Sequence, residues 1–183
     1  MGVVLAVCVV HELRRDASSI GVTAIDKRPV DHAVRVHKLG LRGDVQADRK
    51  NHGGLDKAVY AYSQQDADWW SAELGRPLPA GWFGENLRVD GIEVSQARVG
   101  ERWRVGDDGL VLEVSEPRGP CQTFARWVGG EDERGWVKRF ADVRRLGTYL
   151  RVVRTGSVRA GDDIELIAHA DDAPTVAELY RVG

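Results

Sequence analysis

Apolar residues fill positions 2–10 (GVVLAVCVV) almost without a break. This Val-rich run of strand length predicts a buried strand with Cys8 inside it. A polar stretch follows, and Asp26-Lys27-Arg28-Pro29 reads as a turn. Positions 33–37 (AVRVH) alternate as a second strand does. Between 40 and 56 no apolar period survives; charged residues fill the stretch, and Gly40, Gly43, Gly53 and Gly54 punctuate it. A loop of that length inside a folded domain is usually functional or disordered. Order returns at 57–62 (KAVYAY), another strand, and then Ala67, Trp70, Ser71 and Leu74 recur at helical spacing within 64–74. Gly75 and Pro77 close that helix. Strands are expected at 85–89 and 102–105, and Asp107-Asp108-Gly109 is a hairpin-type turn leading into a strand at 110–114. A second helix is expected over 131–145. Glu131, Asp132 and Glu133 stand in its first turn and Arg144 and Arg145 at its end, as the macrodipole favours, with Trp136, Phe140 and Val143 on its apolar face. Strands at 148–154 and 164–167 are joined through Gly156 and Gly161, and 174–182 forms a closing amphipathic helix. Many short strands, Gly-rich turns and few helices, with no repeat or linker, indicate a mainly β fold. We expect one barrel-like domain over residues 1–183, with a few peripheral helices and a short C-terminal helix.

Composition narrows the function classes. The chain has 183 residues, enough to bury a substantial core without staples. Lys and Arg (26) nearly balance Asp and Glu (28), for a net charge of -2. A protein that coats nucleic acid normally carries a basic excess, so a nucleic acid polymer is not an expected partner. No apolar run approaches the ~20 residues of a membrane span, and the first fifteen residues lack a basic segment before the apolar one. A cytoplasmic protein without membrane contact is expected. Two cysteines, Cys8 and Cys121, make no disulfide framework.

Three motifs carry candidate chemistry. In Pro117-Arg118-Gly119-Pro120-Cys121 two prolines fix φ on either side of a free glycine, so a stiff loop presents one thiol just past a strand. Arg118 is near enough in sequence to favour the thiolate, the form that attacks or binds metal; the alternative is that Cys121 is a small buried hydrophobe. Cys8, inside an apolar strand, belongs to the core. The segment 43–57 sets Arg49, Lys50, His52 and Lys57 around Gly53-Gly54, whose amides can form an anion-binding concavity; a solvated loop with a turn at the glycines uses the same residues. The third motif, Phe83-Gly84-Glu85-Asn86-Leu87, opens a strand with a carboxylate and an amide beside a bend. Asn86 both donates and accepts, which suits the edge of a heterocycle, although a turn leading into a strand would look alike. The five histidines show no zinc-ligand spacing with either cysteine.

These motifs occur in order with Gly-Leu-Arg-Gly-Asp at 40–44, Asn-His-Gly-Gly-Leu-Asp-Lys-Ala-Val-Tyr at 51–60, Tyr-Leu-Arg-Val-Val at 149–153 and Val-Arg-Ala-Gly-Asp at 158–162. Together they resemble the MOSC family, named for the C-terminal domain of molybdenum cofactor sulfurase. More narrowly, the chain is similar to the stand-alone bacterial branch that reduces N-hydroxylated compounds. The resemblance covers about residues 20–167, with 174–182 as a helical tail. It implies a β-barrel-like fold and a bound molybdenum–pterin cofactor with Cys121 as the protein's thiolate ligand. It places Arg49, His52, Gly53, Gly54, Lys57, Asn86 and Arg118 around the pterin and its phosphate. Pyridoxal phosphate, used by a separate domain of the larger sulfurases, is not expected here. The implied function is oxidoreduction of small N-hydroxylated substrates, with electrons from a separate reductase, since no haem, flavin or iron–sulfur motif is visible. His52 or Asp44 would supply the proton. The competing reading is a non-catalytic module that stores or delivers the cofactor, or carries sulfur on Cys121.

Overall fold

The computed structural model describes residues 1–47, 53–129 and 135–180. Among these residues, eleven strands and four α-helices run in the order β1 (Gly2–Arg15), β2 (Val22–Val30), β3 (Val34–His37), β4 (Gly40–Leu41), β5 (Val59–Ser63), α1 (Gln64–Leu74), β6 (Leu87–Asp90), β7 (Arg102–Val105), β8 (Leu110–Pro117), α2 (Gln122–Gly129), α3 (Trp136–Val143), β9 (Thr148–Arg154), β10 (Gly156–Val158), β11 (Asp163–Ala168) and α4 (Val176–Leu179). Seven strands close a barrel in the order β11-β7-β8-β9-β5-β6-β1, sealed by pairing of β1 with β11. Its β5–β6 pair is parallel, with Ala61 opposite Leu87. Closure removes the free edges that an open sheet would expose. β2 is added outside the barrel on β1, while β10, β3 and β4 make a small separate sheet.

Alternation decides which side chains fill the barrel. Along β7, Trp103 and Val105 are buried while Arg102 and Arg104 are exposed. With Val4, Val7, Leu110, Leu112, Leu150 and Ile164 they form a core that is aliphatic but for Trp103. A second, aromatic core lies on the barrel's flank, where α1, α2 and α3 bring Trp70, Phe124, Trp136 and Phe140 against Tyr62 and Phe83. Tyr62 and Phe83 stack at 4.0 Å.

Several expectations need correction. The turn read at Asp26-Lys27-Arg28-Pro29 is the second half of β2, with Pro29 paired opposite Cys8. Proline is tolerated there because β2 is an edge strand whose outer backbone donors need no partner. The helix expected over 131–145 is shorter. Gly135, at φ 77°, precedes α3, and Arg144, at φ 60°, ends it, so Arg145 lies beyond the helix; Glu131, Asp132 and Glu133 fall outside the described residues. α2, which follows the second proline of the thiol loop, has no counterpart in the sequence reading. The expected closing helix at 174–182 is a single turn, α4, held by a capping box between Thr175 and Glu178. It docks on the barrel, with the Val176 amide donating to the Ala97 carbonyl at 2.8 Å.

Candidate functional site

Strand β8 ends at Pro117, and the stiff loop delivers Cys121 to the start of α2, where its carbonyl accepts the Ala125 amide at 3.0 Å. The thiol therefore stands at a helix N-terminus, where the partial positive charge of free amides favours a thiolate. Arg118 is 6% exposed. Its guanidinium carbon lies 4.6 Å from the centre of the Phe124 ring and 5.6 Å from that of Tyr60, and it shares a hydrogen bond with Tyr149. Burial works against this charge, but Cys121, Tyr60 and Tyr149 outweigh it and raise the Arg118 pKa. The same coupling runs the other way: burial pushes the Tyr149 hydroxyl up, and Arg118 pulls it partly back. Arg118 Nη1 is buried with no hydrogen-bond partner among the described residues. A buried charged donor left so costs free energy unless a further group meets it.

Arg118 and Cys121 line a cleft of about 140 Å³ whose walls also include Lys27, Asp44, Lys57, Tyr60, Asn86 and Tyr149. The floor is an ordered polar network. Asp44 accepts the Val10 amide at 2.9 Å and Asn86 Nδ2 at 2.8 Å, and forms an ion pair with Lys27. Asn86 Oδ1 accepts the Tyr60 amide at 3.1 Å, and its Nδ2 also donates to the Cys8 carbonyl at 3.3 Å. Lys57 Nζ sits 3.6 Å from Glu116 and 5.8 Å from the Tyr149 ring centre.

Four of the residues expected at the site, Lys57, Asn86, Arg118 and Cys121, thus converge on one cleft. Asn86 meets it with an amide whose two donors are already engaged. Gly54 opens on a neighbouring groove that shares Asp44, Val45 and Gln46 with the cleft, and its amide donates to Gln46 Oε1 at 3.1 Å. Gly53 is half-buried beside it. Arg49 and His52 lie outside the described residues. Cys8 is fully buried, and burial first, then the Glu85 charge, pushes its thiol up to about 12; the core assignment is where the structure puts it.

The Glu85 carboxylate belongs to the scaffold. It accepts the amides of Gly81 (2.8 Å) and Phe83 (2.9 Å) and pairs with Arg88 Nη2 at 2.6 Å. Gly81, at φ 89°, is required in this turn because a Cβ would collide with the Lys27 carbonyl. Lys27, Tyr60 and Tyr149 escaped the sequence reading. Lys27 was hidden inside the supposed turn, and the tyrosines sit in strands whose alternation says only that they are buried.

Among the described residues no three His, Cys, Asp or Glu side chains converge to hold a metal ion, and no helix is long and apolar enough to cross a membrane. Comparison with known proteins adds the following. The sequence model of the MOSC domain matches residues 48–165. The chain is 36% identical over 160 residues to the uncharacterized protein YflK of Bacillus subtilis (strain 168), covering 87% of this chain and 70% of that one. A protein of Gibberella moniliformis (strain M3125 / FGSC 7600) named "Reductase" is 32% identical over 167 residues, spanning 87% of this chain but 28% of the fungal protein. The crystal structure of YiiM from Geobacillus stearothermophilus matches with a TM-score of 0.78 at 26% identity, over 98% of this chain and 82% of that one.

Proposed function

This chain belongs to the MOSC family, and on that premise we propose that it is an oxidoreductase that reduces small N-hydroxylated substrates with a molybdenum–pterin cofactor bound at Cys121. The observation that carries the reading is a thiol at a helix N-terminus beside a buried guanidinium with an unmet donor, both facing one cleft. That donor set fits the group: a soft thiolate for molybdenum and a cation for an anionic cofactor. The similarity to the fungal reductase supports oxidoreduction, although this chain spans only a small part of that protein.

Converting an N-hydroxylated base to the amine takes two electrons and two protons and releases water. Bound in the cleft, the cofactor supplies the two-electron chemistry that ordinary side chains cannot. The chain's own residues do the rest. Cys121 offers the thiolate, and Arg118, oriented by Tyr149 and the Phe124 ring, offers Nη1 to the cofactor's negative charge. Lys57 adds a second cation at the cleft wall, and His52 or Asp44, the latter lining the same cleft, is the proton source. A separate electron-donating reductase restores the reduced state.

The test is molybdenum content of the wild type and Cys121→Ser, both purified from cells that make the cofactor, followed by turnover of an N-hydroxylated base with a competent donor. Near-stoichiometric metal in the wild type and a loss of more than about ten-fold in the variant are expected. Equal metal in both removes Cys121 from the ligand role. Metal bound through Cys121 without turnover by any donor favours the cofactor-carrier reading instead.

A further inference from the structure

The two longest strands leave the barrel together. β1 pairs with β6 only as far as Val7, and beyond Val10 its sole strand partner among the described residues is β2, through a register interrupted twice between Val10 and Arg14. The outer halves of β1 and β2 therefore form a two-stranded ribbon, and such a ribbon is marginal in water by itself. Yet this ribbon and the turn before β2 line the cleft together with Cys121 and Thr123, contributing Ile20, Val22, Ala24 and Ile25.

What fastens it is Asp16, just past the end of β1. Its side chain is 5% exposed and accepts Arg126 Nε at 2.9 Å, Arg126 Nη2 at 2.8 Å and Thr123 Oγ1 at 3.0 Å, as well as the Ser18 amide at 3.0 Å. Thr123 and Arg126 both lie on α2, the helix that Cys121 begins. A few ångströms away the Arg14 guanidinium lies over the Trp127 ring at 5.5 Å, and Trp127 Nε1 anchors α2 to the Trp82 carbonyl at 2.8 Å. The helix is thus tied to the scaffold, and the ribbon is tied to the helix. The Arg126 hydrogen bond, followed by those of Ser18 and Thr123, holds the Asp16 carboxyl well below the usual carboxylate range, so it stays ionised in all ordinary conditions.

We propose that Asp16 is a positioning residue for the cleft: by latching the ribbon tip to the first turns of α2 it fixes the width of the opening in which Cys121 stands. The inference rests on Cys121 being the group that the cleft serves, and on no particular metal or substrate. A bidentate arginine–carboxylate pair is directional as well as strong, which is what a width-setting contact requires. Its loss leaves the ribbon to local opening while the barrel remains closed.

The experiment is alkylation of the metal-free full-length protein with two reagents sharing one electrophile, N-ethylmaleimide and N-(1-pyrenyl)maleimide, with the labelled peptide read by mass. Because the chemistry is common, the ratio of the two rates reports room around the thiol rather than its reactivity. In Asp16→Ala the bulky-to-small ratio at Cys121 is expected to rise about ten-fold, the scale of one lost charge-assisted pair, and Asp16→Glu restores much of it. Cys8 should stay unlabelled in all variants, showing that the barrel has not opened. An unchanged ratio overturns the proposal, as does a rise accompanied by Cys8 labelling. If Asp16→Ala does not fold, Arg126→Gln removes the same latch from its half-exposed side and is expected to give the same ratio. Absence of molybdenum from the wild type would sink the proposed function and leave this measurement intact.

Discussion

Arg88 and Arg118 are both buried guanidinium groups lying over phenylalanine rings, Arg88 at 5.7 Å from Phe83 and Arg118 at 4.6 Å from Phe124. Their surroundings differ in one respect. Arg88 finds an acceptor for each nitrogen: Glu85 takes Nε and Nη2, Gln64 takes Nη1 at 3.1 Å, and the Pro79 carbonyl takes Nη2 at 3.2 Å. Arg118 has Tyr149 and, among the described residues, no partner for Nη1. The first region is closed upon itself and holds the turn from Gly81 to β6 in shape. The second keeps a donor in reserve at a cleft wall. Trp70 Nε1 and Trp136 Nε1 are also buried without a partner among the described residues, but of the three only Arg118 carries a charge and lines the cleft. Arg126 stands between the two, 39% exposed on its side chain and paired with a buried carboxylate.

That contrast can be broken most sharply at Glu85. Glu85→Ala leaves Arg88 charged, buried and unpaired, and is expected to cost about 3–5 kcal/mol in urea unfolding. A cost under about 1 kcal/mol would mean that water reaches Arg88 and that the closed region is not closed. Asp16→Asn should have a middling effect, about 1–2 kcal/mol at neutral pH. Because the folded-state pKa of Asp16 is lowered, that difference is fully present above the unfolded carboxyl value of about 4 and is lost as pH falls through the lower folded value. Unfolding curves of both proteins at stepped pH should therefore run parallel from neutral down to about pH 5 and converge in stronger acid. A gap that closed already near neutrality would contradict the latch. The smallest effect on stability is expected at Arg118. Arg118→Met removes an unsatisfied buried cation, so its unfolding free energy should stay within about 1 kcal/mol of the wild type, while retained molybdenum falls. A cost as large as that of Glu85→Ala would place Arg118 in the scaffold.

The barrel was legible where one face of a strand meets the core. Arg102–Val105 alternates cleanly, and its bounds agree with the sequence reading; so do those of α1, whose Ser63 cap accepts the Asp66 amide and whose Gly75 ends it in the left-handed region. β2 was not legible, because an edge strand tolerates the proline and charges that elsewhere announce a turn. Nor was α2: its eight residues follow two prolines, and its apolar face (Phe124 and Val128) makes sense only against the aromatic core. The thiol loop was visible as a local motif, since proline and glycine chemistry acts within a few residues. The convergence of positions 16, 27, 126 and 149 on that loop is a product of tertiary packing between β1, β2, β9 and α2, and no spacing along the chain announces it.

The seam that seals the barrel pairs Gly2 with Ile164 and Val3 with Asp163, joining the first strand to the last. During synthesis, the start of β1 waits for a partner made about 160 residues later. At about 5–20 residues per second that wait is on the order of ten seconds, and it concerns the first two residues of β1, since β2 and β6, made sooner, cover the rest of the strand. Contacts so distant in sequence also make folding slow. Sealing of the barrel is therefore a late step of folding, possible only once β11 has been made.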